Sequence, residues 1–270
     1  MPIRQTLAAA QRATFAVLLP NAKLKGMPTP MGTGFFVSPD GWFVTAAHVV
    51  TENNQSNGPT RTDLAQAWLQ KEQRRDFSGG ELCNGVALAH IDASTDFALL
   101  KVDFTANARK EWLQGREGFP HVTVSRRDLD EGEPVYAFGY PLGAGKVVVD
   151  NPGITVGAST LRPRVTSAIV SSTLEEQGMI MSPGQARTYV LDKALNYGNS
   201  GGPILAEATG HVHAWWSRFQ PVFIPQPHLK NANGEPLPIV MPSLYGVVSS
   251  FANPGVLREL EGRGVPIAND

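Results

Sequence analysis

Short apolar runs separated by turn-forming residues recur along this chain, and that pattern predicts an all-β protein rich in turns. Ala13 to Leu19 reads as a first strand. The runs Gly34-Phe35-Phe36-Val37 and Trp42-Phe43-Val44 read as a hairpin, joined by the turn Ser38-Pro39-Asp40-Gly41. Asp96 opens a further hydrophobic strand, Phe97-Ala98-Leu99-Leu100. No internal repeat or low-complexity tract interrupts the pattern.

Composition bounds the setting. With 270 residues and 42% hydrophobic content, the chain can bury a sizeable core as one two-lobed unit or two small domains. Its 27 glycines and 21 prolines suit the many turns that short strands require. The net charge is −1 and no Lys/Arg block stands out, so neither nucleic-acid binding nor attraction to a membrane surface is expected. No run approaches transmembrane length. Gln11-Arg12 interrupts what could have been the apolar core of a signal peptide. Cys83 is the only cysteine, so no intrachain disulfide can form; a partly buried small residue is its expected role. These features together predict a cytoplasmic protein.

Three short segments carry chemistry. In Gly198-Asn199-Ser200-Gly201-Gly202-Pro203 one serine stands among residues with almost no side-chain bulk. Glycines there let the backbone take positive-φ turns and let a substrate come close. Such a turn can aim the N–H groups of Gly198 and Ser200 at one point, as an oxyanion hole requires. Upstream, Thr45-Ala46-Ala47-His48 places a histidine at the end of a strand, and Asp96 is an aspartate whose burial would demand a donor. Serine is a weak nucleophile without an adjacent base, and the base must hold one tautomer. His48, Asp96 and Ser200 can supply nucleophile, base and orienting carboxylate. Their chain order is that of the chymotrypsin architecture and not of subtilisins or α/β-hydrolases.

On these residues the chain resembles the trypsin-like serine proteases, and specifically the HtrA/Deg branch. Gly32-Thr33-Gly34-Phe35-Phe36-Val37-Ser38-Pro39-Asp40-Gly41 is similar to that branch's entry hairpin, and Thr95-Asp96-Phe97-Ala98-Leu99-Leu100-Lys101-Val102 to its aspartate strand. Ala137-Phe138-Gly139-Tyr140-Pro141-Leu142-Gly143 and Val165-Thr166-Ser167-Ala168-Ile169-Val170 resemble the first two strands of its second barrel. The likeness covers about residues 13–205 and 243–268. It implies two six-stranded antiparallel Greek-key β-barrels with the active site between them. Residues 1–132 would hold the first barrel and a crossover, residues 133–270 the second, together one peptidase domain. The implied activity is that of a serine endopeptidase without a cofactor or metal, acting on protein or peptide substrates. The alternative is a catalytically silent scaffold that binds peptides or partner proteins.

The resemblance also implies details. Tyr245 to Phe251 is similar to the strand that walls the specificity pocket, so Ser249, Ser250 and Phe251 are expected to bind substrate, with Ser249 bonded to Asp96. Ala194 and Leu195 fall at the pocket base, which predicts a small or medium apolar P1 residue. Gly264 to Ala268 resembles the strand that closes the pocket, leaving either a minimal protease without a PDZ domain or the N-terminal module of a longer protein. Asn199 stands where digestive members carry an aspartate that pairs with a freed N-terminus, so control should come from loop ordering at 144–164 and 173–187, through a partner or fused module. Residues 51–80, 144–164 and 206–244 read as insertions. In the last, Trp215-Trp216 with Pro-rich flanks form either a docking surface or a self-packed loop. His211 and His213 share one strand face but lack a third metal ligand nearby.

Overall fold

The computed structural model describes residues 3–21, 27–71, 82–113, 115–141, 148–150, 153–155, 163–174, 187–193, 197–230, 234 and 236–270. Ahead of the first strand lies a helix, α1 (Ile3–Ala13), where no helix was expected. Its sequence is rich in alanine, glutamine and arginine, all good helix formers. Ala10 and Ala13 are buried in the core, and Arg12 lies in the last turn, where a cation suits the helix dipole.

The first sheet contains β1 (Thr14–Asn21), β2 (Met27–Phe36), β3 (Trp42–Ala46), β4 (Trp68–Gln70), β5 (Leu82–Cys83), β6 (Val86–Asp92) and β7 (Phe97–Val102). They run in the order β5-β4-β1-β2-β3-β7-β6, with antiparallel neighbours throughout. The strand β1 shows why a continuous apolar run is needed here. Phe15, Val17 and Leu19 face the main core, whereas Ala16 and Leu18 pack on the other side with Tyr140 and Trp68. Successive side chains point to opposite faces, and both faces are covered.

The remaining strands are β8 (Val124–Ser125), β9 (Pro134–Gly139), β10 (Val148–Asp150), β11 (Gly153–Thr155), β12 (Arg164–Leu174), β13 (Thr188–Leu191), β14 (Pro203–Ala206), β15 (Val212–Lys230), β16 (Pro236–Ser250) and β17 (Ile267–Ala268). Strands β10 and β11 pair only with each other among the described residues. The second sheet runs β14-β9-β12-β13-β16-β15-β8-β17, and β14 also pairs with β15, so six strands close into a barrel. The all-β, two-lobed chymotrypsin-type architecture expected from the sequence is the one that forms. Its first sheet differs in having seven strands, and it is open among the described residues. The strand expected to close the pocket, β17, instead pairs in parallel with β8 at the sheet edge.

The stretch 206–244 is not a self-packed loop, and its two tryptophans are not an exposed docking surface. It is mostly the long antiparallel hairpin of β15 and β16, and Trp215 and Trp216 are buried. The prolines are compatible with pairing because of their register. Pro221 lies opposite Pro242 and Pro225 opposite Pro238. Two prolines can face each other only at a non-hydrogen-bonded pair, where the missing N–H would have pointed away from the partner.

One side chain ties the second barrel together. Tyr189 on β13 is buried; its hydroxyl donates to Asp128 Oδ1 at 2.7 Å, accepts the Leu129 N–H at 3.2 Å and lies 3.0 Å from Ser250 Oγ. Burial pushes the phenol up to about 12. The unfolded chain releases this proton near pH 10 while the folded chain keeps it, so this contribution is complete below about pH 10 and is lost as pH rises toward about 12. Denaturant unfolding across that window should cost the wild type on the order of 2 kcal/mol more than it costs Tyr189→Phe. Equal slopes for the two proteins would contradict this assignment.

Candidate active site

The Asp96 carboxylate is buried and is the point where the site's elements converge. It ends a turn that Asp92 organises by accepting the Ser94 N–H (2.9 Å) and the Ser94 and Thr95 hydroxyls (2.6 and 2.9 Å). Asp96 itself has φ 56°, in the left-handed region that costs a non-glycine residue about 1 kcal/mol. The conformation is held by its surroundings. Its carbonyl oxygen accepts the Ala47 N–H (3.0 Å) and the Trp215 indole N–H (3.0 Å).

His48 lies in a short 3-10 turn directly after β3. Its backbone N–H donates to Asp96 Oδ1 at 3.0 Å, and its ring Nδ1 lies 2.9 Å from Oδ2 and 3.1 Å from Oδ1. The Ser217 hydroxyl donates to Oδ2 at 2.6 Å, and the Ser56 hydroxyl to Oδ1 at 2.7 Å. Burial opposes ionisation of this carboxyl, but the hydrogen bond and charge of His48 and the two hydroxyls outweigh it and hold it below the usual range. An ionised carboxylate on Nδ1 fixes the proton there and leaves Nε2 as an acceptor.

The Ser200 turn is built by carbonyl groups pulled away from the cleft. Gly198 C=O accepts the Thr33 hydroxyl (2.6 Å), Asn199 C=O the Gly202 N–H (2.8 Å), and Ser200 C=O the Thr33 N–H (2.7 Å). A planar trans peptide points its N–H opposite to its C=O, so the Ser200 N–H turns away from Gly202. Among the described residues, neither the Gly198 nor the Ser200 N–H donates within the chain. Gly198 has φ 94° and Gly201 φ 83°, and a side chain at Gly201 would strike Thr33 O and Thr45 Oγ1. Only glycine meets both demands.

His48, Asp96 and Ser200 line one cleft of about 720 Å³, together with Gly198, Trp216, Ser217, Arg218 and the loop residues Asn54 to Asn57. The family model of the trypsin-like peptidase domain matches residues 32–214. The chain belongs to this family. Its relatives place it in the HtrA branch. The putative serine protease HhoB of a Synechocystis species is 32% identical over 182 residues, covering 67% of this chain and 32% of that protein. Serine protease HTRA1A of Danio rerio is 29% identical over 180 residues, 66% of this chain and 28% of its own length. Human serine protease HTRA3 is 27% identical over 183 residues, 67% of this chain and 32% of its own. The chain thus spans about a third or less of the length of these relatives.

Within this trypsin-like domain, several expected pocket residues lie elsewhere. Ser249 and Ser250 on β16 are buried between β13 and β15 in the sheet; Ser249 pairs with Thr188 and Trp215, and Ser250 Oγ meets Tyr189. Phe251 packs in the core against Trp215 and Phe35. None of the three lines the cleft; β15 does, and Ser217 makes the bond to Asp96 that was expected of Ser249. Ala194 and Leu195 lie outside the described residues, as do most of the loops at 144–164 and 173–187. His211 pairs with Asp270 at 2.9 Å, and His213 Nδ1 lies 2.9 Å from Arg127 C=O. Among the described residues no cluster of three or more His, Cys, Asp or Glu could hold a metal, and no helix is long and apolar enough to cross a membrane.

Sequence reasoning missed Ser217, Trp215, Ser56 and Thr33. A signal for β15 existed: Ile204-Leu205-Ala206, a Gly-ended turn and Val212 to Trp216 read as a hairpin following the serine. Thr33 is the residue on which the peptidase turn hangs. Its fully buried hydroxyl donates to Gly198 C=O and accepts the Tyr140 N–H at 2.9 Å. Thr33→Val would leave both groups unmatched and should cost about 2–4 kcal/mol in urea unfolding, with Thr33→Ser recovering most of it. A Thr33→Val loss below about 0.5 kcal/mol would show that the turn does not depend on this clasp.

Proposed function

We propose that this domain is a serine endopeptidase. Ser200 is the nucleophile, His48 the general base and then acid, and Asp96 the group that orients His48. The observation that carries the proposal is the buried Asp96 carboxylate bonded to His48 Nδ1 in the cleft that also holds Ser200. In the reaction Ser200 Oγ attacks the scissile carbonyl and its proton passes to His48 Nε2. The oxyanion is met by the Gly198 and Ser200 N–H groups, which have no internal acceptor among the described residues, and this supports that role. The imidazolium, stabilised by Asp96, gives its proton to the leaving amine as the C–N bond breaks. Water then repeats the sequence on the acyl-enzyme.

A small to medium apolar P1 residue and poor cleavage after Lys or Arg belong to the same reading. Asp96, the sole carboxylate among the described cleft-lining residues, is already committed to His48, Ser56 and Ser217. Asp192, near the inferred pocket, accepts the Ile169 N–H at 2.9 Å. Among the described cleft-lining residues a cation would therefore lose water with no uncommitted anion to replace it. Control through ordering of the loops at 144–164 and 173–187, by a partner or fused module, fits the buried and uncharged Asn199, which awaits no freed N-terminus.

A fluorophosphonate probe tests the proposal. It should label Ser200, and the label should vanish in Ser200→Ala. Turnover of a peptide ester should fall on the order of 10⁶-fold in Ser200→Ala or His48→Ala, with little further loss in the double variant. Asp96→Asn should lose roughly 10⁴-fold. Labelling that survives Ser200→Ala would remove Ser200 as nucleophile, and a wild type that takes no label would favour the silent scaffold.

A further inference from the structure

An ionised carboxylate offers about four lone-pair sites on its two oxygens. Around Asp96 four donors supply them. Oδ2 takes the His48 ring N–H and the Ser217 hydroxyl, at 2.9 and 2.6 Å. Oδ1 takes the His48 backbone N–H and the Ser56 hydroxyl, at 3.0 and 2.7 Å. Three of these donors come from the histidine turn and from β15, which the fold fixes. The fourth, Ser56, comes from the polar loop after the histidine.

That loop is a closed unit. Thr51 and Thr60 form a bridge, Glu52 N–H donates to Pro59 C=O at 2.9 Å, and the Thr51 hydroxyl and Gly58 N–H both donate to Gln55 C=O at 2.6 and 2.8 Å. Its tip residues Asn54, Gln55, Ser56 and Asn57 form one wall of the cleft. The single hydroxyl of this wall that reaches inward is bonded to the carboxylate.

We propose that Ser56 is a positioning residue: it completes the donor set of Asp96 from the post-histidine loop and so couples that wall of the cleft to the orientation of His48. This rests on the endopeptidase reading for its consequence in turnover, but the bond itself does not. With Ser56 removed, one lone-pair site of a buried carboxylate has no donor, so the carboxylate holds a proton more readily and is held by three donors in place of four. The charged or titratable groups around it are His48 at its oxygens, Asp92 in its own turn, and Arg218 and Tyr197 along the cleft. Ser217 and Trp215 complete its surroundings from β15.

Two readouts on Ser56→Ala and Ser56→Thr test this. In a Ser200→Ala background, where no self-cleavage can occur, the Asp96 carboxyl carbon is followed by NMR against pH and assigned by its loss in Asp96→Asn. Ser56→Ala should move its titration upward, and Ser56→Thr, which keeps the hydroxyl, should restore it. With Ser200 intact, Ser56→Ala should lower kcat roughly tenfold with KM nearly unchanged and shift the acid limb of the kcat/KM profile, with Ser56→Thr again restoring both. An unmoved carboxyl titration overturns the proposal whatever the turnover. A rise in KM alone, with kcat and the acid limb unchanged, also overturns it, since that is what a merely structural loop would give. If the titration moves but wild-type turnover does not depend on Ser200, the coupling stands and the endopeptidase reading fails.

Discussion

Burying an ionised carboxylate costs far more than any single hydrogen bond returns, so Asp96 can exist where it is only if several donors arrive together. They come from different parts of the chain: the histidine turn after β3, the loop at Ser56, and Ser217 on β15. The requirement binds the two sheets at one atom pair. Once it is met, the consequence for His48 follows from chemistry alone, because an anion on Nδ1 sets the tautomer. The site and the fold thus share a single constraint.

The strand β15 shows how the sheets deliver it. Trp215 packs into the first core with Phe97 and Phe251, at ring separations of 5.3 and 4.8 Å, and its indole N–H holds the Asp96 carbonyl. Trp216 points to the other side, into the core of the second barrel and against Gly246, where a side chain would collide with its ring. Ser217 then returns to Asp96. Alternation along one strand therefore fills two cores and satisfies a charge within three residues. On the opposite side Thr33 does comparable service, joining β2 to the Ser200 turn and to Tyr140.

His48, Asp96 and Ser200 were legible in the sequence because each sits in a short motif whose local chemistry is unusual: a histidine closing a strand, an aspartate opening one, a serine among glycines. The two-lobed all-β architecture was legible from short apolar runs for the same reason. Ser217, Ser56 and Thr33 were not, since each is an ordinary hydroxyl residue whose role depends on a partner 40 or more positions away in the chain. The hairpin of β15 and β16 was hidden by its prolines, which read as loop until their register shows them facing one another. That misreading put the expected wall on β16, whereas β15 lines the cleft, and carried Ser249, Ser250 and Phe251 with it. Helix α1 was passed over because Gln11-Arg12 was weighed only as an interruption of an apolar signal core, while the helical spacing of its buried Thr6, Ala10 and Ala13 went unused.

The central claim is that this carboxylate–imidazole pair serves Ser200 with the Gly198 and Ser200 N–H groups as its oxyanion site. A crystal structure of the domain with a peptidyl boronate tests it most directly. The account predicts a bond from Ser200 Oγ to boron, one boronate oxygen within about 2.7–3.1 Å of both N–H groups, and His48 still bonded to Asp96. Boron bonded to another residue, or an oxygen out of reach of both amides, would contradict it.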